Sequence, residues 1–321
     1  MSSTFRDLCP DILLDIFCYF SIDQLFYSFY PDVLPILQTL LYESRMKFQL
    51  CLSNDDHFTA TLLSLINENQ VGSLRMTAAK NDFVKFRELQ WITVINIHID
   101  RMLLQKLSKL PRLTHVICID SQFRQECFRY VCCLPFLKYF EVNLHGGYLD
   151  IPITSYQRTC PIEELVLHTP CSWEYLRRLI SHLTHLRILR VMVNVDRSSD
   201  ITIQHYSENF PSIEIFDLTW YSIEMENILA LVRHMPHLKQ LRLSGKIDVN
   251  NLNSDLWQQL LEVVCRNLKR LNVNMLISIR EGADRIQKDF DNNLFFQRIQ
   301  FRLIPSNDEN ELLILNGDFR R

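Results

Sequence analysis

Two H-x-x-H pairs, His182/His185 and His234/His237, have the spacing that can set both imidazoles on one helical face and so hold zinc. Both pairs fall at the same phase, just before Leu186 and Leu238, and neither has a third ligand of convincing type nearby. Recurrence at equivalent positions favours surface residues where a helix gives way to a strand, so no metal site is expected. The chain carries ten cysteines, among them the adjacent Cys132 and Cys133, but no C-x-x-C, which argues against a zinc ribbon or a thioredoxin-like centre. It has only six glycines and neither G-x-G-x-x-G nor G-x-x-x-x-G-K-[ST]. Phosphate-cradling loops need the close backbone approach that glycine permits, so nucleotide chemistry is not expected. No G-x-S-x-G elbow and no signature around a cysteine names a nucleophile. The expectation is a non-enzymatic protein with no catalytic residue, metal or cofactor.

The elements around these residues follow one pattern. A hexad L-x-x-L-x-L recurs at Leu113/Val116/Cys118, Leu137/Phe140/Val142, Ile162/Leu165/Leu167, Leu186/Leu189/Val191, Ile213/Phe216/Leu218, Leu238/Leu241/Leu243 and Leu268/Leu271/Val273. Weaker copies stand at Leu89/Ile92/Val94 and Phe296/Ile299/Phe301, and Val71/Leu74/Met76 repeats the spacing once more. First positions from Leu89 onward are 24 to 30 residues apart. A period in the twenties predicts a solenoid, in which no unit buries its apolar face without its neighbours. Each hexad is expected to be a strand with its apolar residues pointing into the core. Helices are expected between hexads, at Arg101–Leu110, Arg124–Leu134, Trp173–Leu183, Met225–Met235 and Asp255–Arg266. Pro111, Pro135, Pro161, Pro211 and Pro236 stand just before hexads and stop those helices. The fold class predicted is α/β: a curved parallel sheet with helices on the convex side.

Residues 1–50 lie outside the repeat. Ile12, Ile16 and Phe20, with Leu13 and Phe17 beside them, share a helical face, and Pro10 and Asp11 suit its first turn. Ser21 and Gln24 make a capping box for a second short helix carrying Leu25 and Phe26, and a third helical pattern runs from Leu34 to Met46. Residues 51–85 are a connector with a first atypical repeat, 86–303 the solenoid, and 304–321 a C-terminal cap or tail.

Here the residues resemble a family. Leu8 to Leu25, LCPDILLDIFCYFSIDQL, is similar to an F-box, with Leu8, Ile12, Leu13, Ile16, Phe17, Tyr19 and Leu25 in matching places. Asp11 stands where glutamate is usual, Phe20 where leucine is usual, and Pro10 is shifted by one. An F-box ahead of leucine-rich repeats implies a substrate receptor of a cullin–RING (SCF-type) ubiquitin ligase. Its F-box would dock on the Skp-type adaptor, and its repeats would hold a target protein. One departure is that asparagine follows the hexad only at Asn194, while Ser121, His145, Pro170, Tyr221, Lys246 and Leu276 occupy the other places. An irregular horseshoe is therefore expected. The alternative is a leucine-rich-repeat interaction scaffold unrelated to ubiquitination.

The residues between the apolar positions of each hexad should line the concave face. Trp91, Tyr139, Glu141 and Glu164 supply acids and aromatics toward one end; Arg190, Arg242, Arg270 and Arg298, broken by Asp217, make the other end basic. Arginine, tryptophan and tyrosine are the side chains that protein-binding hot spots favour. With 34 basic against 37 acidic residues, no nucleic-acid or membrane partner is expected. The start, with Arg6, Asp7, Asp11 and Asp15, does not resemble a secretory signal, and a reduced, cytoplasmic or nuclear setting suits the cysteines.

Overall fold

The computed structural model of the protein describes residues 48–52, 67–77, 83–123, 127–144, 160–194, 212–220, 224–248, 254–260, 267–278, 291–298, 302–305 and 312–320, together with Cys9, Ile12, Ile16, Phe20, Gln24, Leu149 and Lys288. The chain divides into two compact units, Met1–Gly146 and Gly147–Arg321.

The first unit contains β1 (Phe48–Leu52), β2 (Val71–Met76), β3 (Trp91–Ile95), β4 (His98–Ile99), α1 (Arg101–Leu107), β5 (His115–Phe123), α2 (Cys127–Val131) and β6 (Tyr139–Leu144). Its main sheet is parallel in the order β1-β2-β3-β5-β6, and β4 pairs β5 alongside it. The second unit contains β7 (Glu164–Cys171), α3 (Trp173–His182), β8 (Ile188–Val193), β9 (Ile215–Trp220), α4 (Met225–Val232), β10 (Gln240–Asp248), α5 (Ser254–Gln258), β11 (Arg270–Ser278), α6 (Leu294–Arg298), β12 (Arg302–Pro305) and β13 (Leu312–Arg320). Strands β7 to β11 are parallel neighbours in chain order; β13 then runs antiparallel beside β11, and β12 antiparallel beside β13.

In both units the apolar hexad positions face inward. Leu113, Val116, Cys118, Leu137, Phe140 and Val142 are buried in the first unit; Leu165, Leu167, Phe216, Leu218, Leu241, Leu243, Leu271 and Val273 are buried in the second. Each such leucine or phenylalanine contributes about 1.5–3 kcal/mol on leaving water. Alternate residues point the other way and stay half-buried or exposed, with Val166 an exception at 3% exposure.

One strand is missing from the sequence expectation. Phe48–Leu52 straddles the expected boundary between the helical domain (1–50) and the connector (51–85), yet it forms β1, with Phe48, Leu50 and Leu52 buried. Its alternation is that of β8 and β9. The third helical pattern, from Leu34 to Met46, lies outside the described residues; in the connector, the Asn67 side chain caps the 3-10 turn Glu68–Gln70.

With asparagine scarce, the backbone keeps successive units in register. The Thr114 carbonyl accepts from the N–H groups of both Lys138 and Tyr139, at 2.8 and 3.0 Å. Glu163 does the same for Arg187 and Ile188, Arg187 for Glu214 and Ile215, Glu214 for Lys239 and Gln240, and Lys239 for Lys269 and Arg270. Each acceptor is the residue after the first hexad leucine, and its donors are the two residues at the corresponding place in the next unit. Because only backbone atoms are used, the side chain there is free to vary.

Before the strands, prolines sit inside tight turns and do more than stop helices. Leu137 N–H donates to the Leu134 carbonyl at 3.5 Å and Leu238 N–H to the Met235 carbonyl at 3.1 Å, so Pro135 and Pro236 hold the second place of a four-residue turn. Leu186 N–H donates to the Leu183 carbonyl at 3.1 Å without a proline. The helices start on side-chain caps where the sequence allows: Asp100 accepts from Leu103 N–H at 2.8 Å and Ser172 from Tyr175 N–H at 3.0 Å.

Ser121, in the place of the usual asparagine, takes over part of that residue's work. It follows Asp120, whose φ of 48° repeats the left-handed turn of Asn96 (φ 54°) one unit earlier. Asparagine and aspartate tolerate that region better than other non-glycine residues. The fully buried Ser121 hydroxyl lies 3.3 Å from the Val94 carbonyl of the preceding unit and 3.0 Å from that of Ile119. Ser121→Ala is expected to cost about 1 kcal/mol, the worth of one such bond; a change in urea midpoint checks it.

Of the ninth hexad, Phe296/Ile299/Phe301, the residues at the centre of its expected strand, 299–301, lie outside the described residues. Leu294–Arg298 is helix α6, with Phe296 buried and Gln297 N–H donating to the Asn293 carbonyl at 3.1 Å. β13 pairs with β11 along all of Arg270–Ser278, so no edge of β11 is left for a ninth parallel strand.

Candidate protein-binding face

The residues that alternate with the buried hexad positions form rows across each sheet. In the first unit Gln49, Ser73, Trp91, His115 and Tyr139 stand in register, with Cys51, Arg75, Thr93, Ile117 and Glu141 in the row beside them. Trp91 is 38% exposed. Its ring lies 4.2 Å from that of His115 and within 4° of parallel; Tyr139 is 5.4 Å from His115 and 6.0 Å from Trp91. The three centroids make a compact triangle of offset-stacked rings, an arrangement aromatic groups favour by roughly 0.5–1.5 kcal/mol per pair. The Tyr139 hydroxyl donates to the Glu141 carboxylate. His115 was not among the expected face residues, although it holds the same hexad position as Trp91 and Tyr139 one unit either side. Reading that column unit by unit would have found it. Thr114 Oγ1 lies 2.8 Å from His115 Nδ1 and helps orient the ring.

In the second unit the central row is Val166, Arg190, Asp217, Arg242 and Asn272. The expected basic surplus is largely spent there on neighbouring acids. Arg190 Nη1 is 2.5 Å from Glu164 Oε1, and Arg242 Nη1 is 3.3 Å from Asp217 Oδ2. Asp217 stands between the two arginines; burial pushes its carboxyl up, and the charges of Arg242 and Arg190 pull it only part of the way back. Such exposed pairs contribute little stability, roughly 0–1 kcal/mol each, but they lower the net charge a partner would meet. A second set runs along the strand entries, where Glu214 joins Lys239 at 2.8 Å and Arg187 at 3.2 Å. The Lys239 hydrogen bond leads in holding the Glu214 carboxyl below its usual range. Arg270 is exposed at the start of β11. Arg298 ends helix α6, so it is not part of a strand row and its expected place on the sheet face is corrected.

The F-box-like residues are only partly covered. Leu8, Pro10, Asp11, Leu13, Phe17 and Leu25 lie outside the described residues. Ile12 and Ile16 are helical; Ile12 is 49% exposed, Ile16 half-buried, and Phe20 is 37% exposed.

Three other reactive side chains are engaged or suppressed. His182 Nδ1 is 2.7 Å from the Arg178 carbonyl in the last turn of α3. Among the described residues no group of three His, Cys, Asp or Glu is placed to hold a metal ion. Burial pushes the Cys118 thiol far up, Glu141 adding to the effect, and burial does the same to Cys171, so neither supplies a thiolate nucleophile near neutral pH. No helix among the described residues is long and apolar enough to cross a membrane.

The class these observations define is an α/β fold of parallel sheets whose strand-and-helix units follow one another, compatible with a solenoid. In comparisons with known proteins, no family model matches the chain and no curated protein matches it.

Proposed function

We propose that the protein is the substrate-binding subunit of a cullin–RING ubiquitin ligase of the SCF type. In this reading the Leu8–Leu25 segment is an F-box that docks on the Skp-type adaptor, which joins it to the cullin scaffold. The strand units are leucine-rich repeats of irregular form, and their open face holds a target protein in the cytoplasm or nucleus. The work is done by proximity: a held target presents its lysines to the charged conjugating enzyme at high effective concentration. No side chain of this chain takes part in the bond-making.

The observation that carries the proposal is the joining of that N-terminal pattern to a periodic sheet with a side-chain face left open. Ile12 and Phe20 add support, since two large apolar side chains at i and i+8 stay more than a third exposed and suit a groove on a partner.

Co-expression of the tagged full chain with a Skp-type adaptor tests the docking. Wild type should retain the adaptor through purification, and an Ile12→Asp, Phe20→Asp double variant should lose it at least tenfold, with unchanged far-ultraviolet circular dichroism. Equal trace amounts of adaptor on both proteins would turn the assignment to an interaction scaffold unrelated to ubiquitination.

A further inference from the structure

The arginines of the two open sheet faces differ in how they are engaged. Arg190 and Arg242 are ion-paired across strands, and Arg270 has contacts of its own. Arg75, on β2, is exposed and makes no hydrogen bond or ion pair among the described residues. It stands in register with Thr93 on β3, diagonal to Trp91 and two residues after Ser73. The row position next to Trp91, on the side away from His115, is filled by Ser73, whose side chain is small. One face of the indole is thus stacked on His115, and the row position on its other side holds a short residue, with Arg75 two residues further along the same strand.

We infer that β2 and β3 of the first unit form an anchor for an acidic segment of a partner protein. An Asp or Glu carboxylate pairs with Arg75, and an adjacent aromatic side chain of the same segment packs on the outer face of Trp91. Charge complementarity chooses the sign of the occupant. Glu141, the acid of this face, is three strands away, about 14 Å by strand spacing, beyond the roughly 8–10 Å over which salt leaves surface charges coupled. Glu141 therefore disfavours the acidic residue at the far end of the face and leaves it favoured near Arg75. The stack also fixes Trp91 in advance, which lowers the ordering cost of using it as an anchor. Guanidinium adds what an apolar patch lacks, a directional paired bond to carboxylate.

The inference rests on the proposed target-binding use of this face, and its test reads a different surface from the adaptor-docking one. A random-peptide phage library is selected on the immobilised full chain, on Arg75→Glu and on Trp91→Ala, and each variant is also assayed for adaptor retention. Selected peptides should carry Asp or Glu next to an aromatic residue. Synthetic copies should bind Arg75→Glu about ten- to a hundredfold more weakly, the loss expected for one charge-assisted bond; Trp91→Ala should also weaken them, while adaptor retention stays at the wild-type level. Arg75→Glu should select basic peptides instead. Four results overturn the inference: no enrichment on wild type, enrichment of basic or uncharged peptides, peptides bound equally by Arg75→Glu, or tight binding of a single-stranded poly-dT probe in their place. Loss of adaptor binding by wild type would instead strike the ubiquitin-ligase assignment and leave the peptide result standing.

Discussion

Replacing Gly245 by alanine is expected to destabilise the second unit by about 2–6 kcal/mol, summing the typical costs of backbone strain and of overpacking a tight site. Gly245 lies inside β10, in register with Trp220 on β9 and Met275 on β11, and its φ is 150°. A side chain other than hydrogen rarely adopts that backbone. Space rules it out as well: a Cβ at this position would sit 2.1 Å from the Trp220 carbonyl oxygen and 3.0 Å from Cδ2 of its indole. The oxygen belongs to a strand backbone and the ring is only 1% exposed, so neither can withdraw without parting β9 from β10. Urea unfolding followed by circular dichroism should show the midpoint falling, with Ser244→Ala as the control. Ser244 is half-buried and has no such contact, so its change should stay within about 0.5 kcal/mol. A Gly245→Ala midpoint equal to that of wild type would mean that the strands do not meet in this register.

Phe140→Ala is expected to cost about 3–5 kcal/mol, the range for truncating a buried aromatic ring. Phe140 is fully buried at the centre of its hexad, with the Phe128 ring of α2 edge-on at 5.8 Å. The removed ring leaves a cavity between sheet and helix, under α2, a helix of five residues. Tyr139→Ala, one residue earlier on the opposite face, forfeits partly exposed stacking on His115 and Trp91 and the hydrogen bond to Glu141. Its cost should stay at about 1.5–2.5 kcal/mol, the low end of the range for two ring contacts and one hydrogen bond on a partly exposed face. The pair of variants thus measures the alternation itself. If the two midpoints shift equally, the inward and outward assignments of this strand are wrong.

Much of the strand architecture was legible because burial follows a period of two within each hexad. Eight of the repeats from Leu89 onward, counting the weaker first copy, keep apolar residues at the inward places, and each of those that begins between Leu89 and Leu268 is a strand in the structure. Even β1 carried the signal, but five residues at the edge of a helical-looking stretch were too few to separate the two periods. The proline phase was also legible, though its role as the second residue of a turn needed the Leu134–Leu137 and Met235–Leu238 hydrogen bonds to appear.

The candidate site was less legible. Trp91, Tyr139 and Glu141 were found from their column, whereas His115 between them was passed over and Arg75 lay in a unit treated as connector. The weight given to Arg190 and Arg242 changed most. A column of arginines looks basic in one dimension, but their acids, Glu164 and Asp217, come from neighbouring strands 25 or 26 residues away.

By itself the sequence determined which residues go in, which stay out, and that the strands add in order at a period of about 25, because hydrophobic alternation is a local property of the chain. Only the tertiary structure decided which charges remain open and how the array ends. An ion pair depends on the register between strands, which no single hexad encodes. A sheet edge accepts a strand of either direction, since backbone donors and acceptors are common to every sequence; that is why β13 could close the edge of β11 antiparallel, where a ninth parallel strand was expected.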